Sequence, residues 1–136
     1  MILDDLVKNT SLKTLDLGVI EGSIRKNSLG VDGARCIAAL LIQNKTLETL
    51  KLEDNDIGIA GAEIIAIALK QNKTLKNFKL SENMVKTQGA EQILKNSAHL
   101  QSLDLGKNFI KSSIGSFLRG YFETNKHIRR LNIEMN

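Results

Sequence analysis

Few side chains in this 136-residue sequence stand where they could do chemistry together. His99 and His127 lie 28 residues apart, each just before an apolar stretch, a spacing that could bring two imidazoles to one metal ion. No Asp, Glu or Cys completes a first coordination shell in the same pattern, so both are read as solvated turn histidines. Cys36 is the only cysteine. With no His or cation placed to activate it, it reads as a half-buried structural thiol. A glycine-rich phosphate loop, a G-x-S-x-G elbow and an H-E-x-x-H helix are all absent. The chemistry expected is recognition: no catalytic residue, no cofactor and no metal.

Composition narrows the class of partner. Hydrophobic residues make up 42% of the chain and charged residues 25%, the balance of a globular protein. No apolar run approaches the length that crosses a bilayer, so no membrane association is expected. Asp4 and Asp5 stand where a secretory signal would carry Lys or Arg, and one cysteine allows no internal disulfide. A cytoplasmic location is the expectation. Residues 1–68 hold seven Lys/Arg against ten Asp/Glu, and residues 69–136 hold twelve against five. The net charge of +4 comes with only 4% aromatic residues and mixed signs, so no nucleic-acid groove is expected.

The elements that must position these residues follow from an internal repeat. Leu47, Leu50, Leu52 and Asn55 have the form LxxLxLxxN. The pattern returns at Leu75, Phe78, Leu80 and Asn83, at Leu100, Leu103, Leu105 and Asn108, and at Ile128, Leu131, Ile133 and Asn136. An earlier copy starts at Leu12 with Leu15 and Leu17. Between strands, the segment from Asn27 to Ala34 aligns without gaps on the segment from Asn55 to Ala62, and Asn83, Gly89 and Ala90 keep its frame. Apolar residues of helical period follow each glycine. Each unit is thus expected to be a short strand, a loop and a helix returning to the next parallel strand. Neither element buries its apolar face alone; stacking the units makes one core. Gly33, Gly61 and Gly89 are expected to allow either close packing or positive φ at the turn into the helix.

The pattern resembles the leucine-rich repeats of the ribonuclease-inhibitor subfamily. It is most similar to the 28-residue version in NOD-like receptors, with related repeats in Ran GTPase-activating protein and tropomodulin. The resemblance implies an α/β solenoid, a horseshoe with parallel strands on the concave face and helices on the convex face. One domain is expected over residues 1–136: the helix of a partial repeat at 1–11, repeats starting at 12, 47, 75 and 100, and a partial repeat at 128–136. The expected function is a non-catalytic protein–protein interaction module that binds a partner through its concave face and strand-to-helix loops. The alternative is a GTPase-activating regulator resembling Ran GTPase-activating protein, in which Arg25 would be the residue to suspect.

Strand side chains alternate, so one set in each repeat must face the concave solvent. There Asp16, Lys51, Lys79 and Asp104 fall in one column, with Glu53 and Arg130 in the columns beside it. Lys51 and Lys79 are expected to form a small positive site. The first repeat carries seven extra residues within Gly18–Lys26, which makes Arg25 and Lys26 candidate contacts. Met84 and Phe109 follow the repeat asparagines and should lie side by side on one rim, either exposed as anchors or folded inward. Neither end shows a cap, and self-association through uncapped ends is expected.

Overall fold

The computed structural model describes residues 2–19, 22–24 and 26–136, with side chains from Asp5 onward. Helices and strands alternate throughout. They are α1 (Ile2–Lys8), β1 (Thr14–Asp16), α2 (Gly30–Gln43), β2 (Thr49–Lys51), α3 (Gly58–Gln71), β3 (Asn77–Lys79), α4 (Lys86–Asn96), β4 (Ser102–Asp104), α5 (Ile114–Thr124) and β5 (Arg130–Asn132). The five strands form one parallel sheet in sequence order. Register is unbroken: Leu15, Leu50, Phe78, Leu103 and Leu131 stand opposite one another, flanked by the Thr14 and Asp16 columns.

Each strand is only three residues long, with one apolar residue facing the helices between two polar ones. The inward residues Leu50, Leu52, Phe78, Leu80, Leu103 and Leu105 are completely buried. They meet Ile37, Leu41, Ile65, Leu69, Ile93 and Leu94 from the helices in a single core. The helices α2 and α3 end at Asn44 and Asn72, whose N–H groups still donate to Leu40 O and Ala68 O. Their side-chain carbonyls then accept the N–H groups two and three residues on, at Thr46 and Leu47 and at Thr74 and Leu75. Asn125 makes the same turn to His127 and Ile128. The repeated N-x-T-L segments are thus Asx turns that aim the chain back into the sheet.

Of the two expected roles for the repeat glycines, close packing is the one observed. A Cβ on Gly61 would lie 3.1 Å from Ala34 Cβ, and one on Gly89 would lie 3.0 Å from Ala62 Cβ. Helices of adjacent repeats therefore touch through glycine and alanine. In the next repeat that glycine position holds Ile114, which is buried. Beside helix α4, three residues shorter than α3, lies a cleft of about 510 Å³ between α4 and α5. Leu94, Phe117 and Tyr121 line it.

Candidate functional site

The strand-to-helix rim is built by the repeat asparagines. Asn83 Nδ2 donates to Leu52 O at 2.8 Å, one repeat back, and to Ser81 O of its own turn. Its Oδ1 accepts the N–H groups of Asn55 and Ile57. Asn108 repeats the arrangement with Asn83 and Val85, and Asn136 with Asn108 and Ile110. The asparagines form a buried ladder that closes the backbone groups leaving the sheet.

The ladder has a second consequence. With each asparagine side chain held inward, the residues on both sides turn outward in the left-handed region: Asp54 and Asp56, Glu82 and Met84, Lys107 and Phe109 all have φ between 53° and 58°. Met84 is 45% exposed and Phe109 67%. They stand in adjacent repeats on one rim, over a shallow cleft of about 240 Å³ whose other walls are Lys26, Asp54, Asp56, Glu82 and Lys107. Lys26 reaches Asp54 and Lys107 reaches Glu82 at 3.0 Å. The Asp54 carboxylate holds the Lys26 ammonium above the usual lysine range. Ile24 in the inserted loop and Met135 beside Asn136 are also strongly exposed at this end of the strands.

The concave face is a paired surface. Lys51 reaches Asp16 at 2.7 Å and Lys79 lies 3.6 Å from Glu53, so the expected positive site at Lys51 and Lys79 is neutralised by the acids of the preceding repeats. Lys13 and Lys76 share Glu48, at 3.3 and 2.7 Å. The Lys51 ammonium, with the backbone N–H of Gly18, keeps the Asp16 carboxyl below its ordinary range, and Lys76 and Lys13 do the same to Glu48. Asp104 accepts from the Asn132 amide at 3.1 Å and from the Gly106 N–H. Arg130 stands exposed on β5, opposite Ser102. Gly18 lies beneath Glu53, where a Cβ would come 2.6 Å from Oε2 and displace the end of that side chain.

Arg25 lies outside the described residues, whereas its neighbour Lys26 is on the rim. His99 is not solvated: both ring nitrogens are shielded and have no hydrogen-bond partner, while His127 is exposed. Burial, then Lys73 and His127, push the His99 pKa down. Cys36 is a half-buried free thiol. Asp54, Asp56, Glu82 and Lys107 were missed by the sequence reading. The signal lay in their position on either side of the ladder asparagines. Among the described residues no cluster of three or more His, Cys, Asp or Glu could hold a metal ion, and no helix is long and apolar enough to cross a membrane.

The leucine rich repeat family model matches residues 43–66 and 96–118. No curated protein matches the chain. Among solved structures, the tropomodulin C-terminal domain of Caenorhabditis elegans superposes with a TM-score of 0.79 at 11% identity, covering 98% of this chain and 83% of that one. Leiomodin-1 actin-binding site 2 superposes with a TM-score of 0.79 at 16% identity, covering 97% of this chain and 76% of that one. The chain is an α/β leucine-rich repeat solenoid.

Proposed function

We propose that this leucine-rich repeat solenoid is a non-catalytic protein-binding module that engages its partner chiefly with the strand-to-helix rim. The observation that carries the reading is the exposed Met84–Phe109 pair, held on a backbone that the asparagine ladder pins from both sides. Large apolar side chains presented on a rigid turn lose little conformational freedom on binding, which suits them to be anchors. The concave face adds polar contacts through Asp16, Lys51, Glu53, Lys79, Asp104 and Arg130, but both of its lysines are already paired with acids of the preceding repeats, so it contributes register more than affinity. Helices alternating with strands, at a spacing of 28 residues in two of the four repeats, support assigning the repeats to the ribonuclease-inhibitor type. A cytoplasmic setting goes with this reading. No described residue adds to the GTPase-activating alternative, which rests on Arg25.

Photo-crosslinking tests the surface whatever the identity of the partner. A photoreactive phenylalanine at position 84 or 109 is expected to yield adducts with a second protein in cells, and the same group at Phe122, on the convex side, is not. Adducts from position 122 alone, or from Lys51 and Lys79 alone, would move the contact off the rim. Actin is the first purified probe to try, because the leiomodin-1 domain of this fold is an actin-binding site. Cosedimentation with actin, weakened tenfold or more in a Met84→Ser, Phe109→Ser double variant of unchanged circular dichroism, is the expected result if actin is the partner.

A further inference from the structure

The rim cleft is acidic in a basic protein. Asp54, Asp56 and Glu82 face two ammonium groups, Lys26 and Lys107, in a chain whose net charge is +4. Lys26 is bonded to Asp54 and Lys107 to Glu82. Asp56 has no hydrogen bond or ion pair among the described residues and feels the Lys26 ammonium only at longer range, and its carboxylate shares the column of Met84 and Phe109. The column thus reads, repeat by repeat, as a carboxylate, a thioether and an aromatic ring.

Resting on the rim reading above, we propose that this cleft takes an extended segment of a partner protein carrying a Lys or Arg two residues from an apolar side chain. The cation pairs with Asp56 and the apolar residue seats between Met84 and Phe109. Spacing supports this register. Adjacent repeats are about 5 Å apart, so the middle of the Met84–Phe109 pair lies roughly 7 Å from the Asp56 column position, and side chains on one face of an extended strand repeat at about 6.7 Å. Charge complementarity selects the same ligand, since an acidic segment would meet three carboxylates and find no free ammonium in the cleft. A segment that is apolar alone would leave Asp56 desolvated without a partner.

A random peptide library displayed on phage, selected on the intact protein and counter-selected on the Met84→Ser, Phe109→Ser variant, tests the proposal. Enrichment of a basic residue two positions from an apolar one is expected. Asp56→Asn should weaken an enriched peptide about fivefold at low salt, a difference that shrinks as salt rises. Enriched peptides that depend on Met84 and Phe109 but lack the cation, or that bind Asp56→Asn equally well, would overturn the proposed chemistry and leave the rim reading standing. Recovery of no peptide that depends on Met84 and Phe109 would overturn both.

Discussion

The side-chain carbonyl of Asn83 accepts the backbone N–H of Asn55 at 3.0 Å, across two repeats that are 28 residues apart. The bond recurs up the solenoid and fails at one place. Asn55 Oδ1, which should accept from Asn27 and Leu29, is buried with no partner. Asn27, exposed just after the seven-residue insertion, keeps the side-chain amide bond to Leu17 O of its own strand, but its backbone N–H does not reach Asn55 Oδ1. The first rung of the ladder is thus missing its side-chain acceptor bond.

That asymmetry sets two substitutions apart. Asn83→Ala removes acceptor and donor together and orphans buried groups on two repeats, whereas Asn55→Ala removes only the donor side. Asn83→Ala is expected to cost about 1–3 kcal/mol more than Asn55→Ala in urea unfolding. Equal losses would show that the ladder carbonyls contribute nothing.

Glycine-to-alanine exchanges should have opposite signs at two helical positions. At Gly89 the new methyl would lie 3.0 Å from both Ala62 Cβ and Val85 Cβ, neither of which a rotamer change can move, so α3 and α4 must separate. Gly120 in α5 has open space where its Cβ would go. Gly89→Ala is expected to lower the melting temperature, and Gly120→Ala to stabilise by about 0.5–1 kcal/mol through helix propensity. Stabilisation by both would contradict the close contact of α3 with α4.

Truncation of Leu52 or Leu80 to Ala should cost about 2–5 kcal/mol each, because both are fully buried between sheet and helices. Leu131→Ala, on the half-buried strand β5, should cost clearly less. Thermal melts of the three variants rank these positions directly.

Stability should fall on mild acidification through His99. Its pKa is lowered in the folded state by burial first, then by Lys73 and His127, so the folded form holds it neutral. The unfolded chain takes up the proton first. The stabilisation is therefore complete above the unfolded value near 6.5 and is lost as pH falls through that value toward the lower folded one. Denaturant unfolding at pH 7.5 and 5.5 is expected to show a loss that is smaller in His99→Thr, the residue type of the equivalent positions Thr46 and Thr74. An identical loss in both proteins would assign the pH dependence elsewhere.

The repeat by itself determined which residues become neighbours. Stacking identical units in register fixes the cross-strand partners, so Asp16, Lys51, Lys79 and Asp104 had to share a column and Leu50 and Phe78 had to share the core. The repeat glycines were legible as special positions for the same reason, but the choice between close packing and positive φ was not. Orientation and distance between side chains were not, because they depend on which way each turn rotates and how far apart two helices settle. Only the tertiary structure decided that the Asn83 and Asn108 ladder turns Met84 and Phe109 outward, and that Lys51 spends its charge on Asp16. It also shut the His99 ring away from hydrogen-bonding partners. The cleft between α4 and α5, too, depends on how far apart those two helices settle.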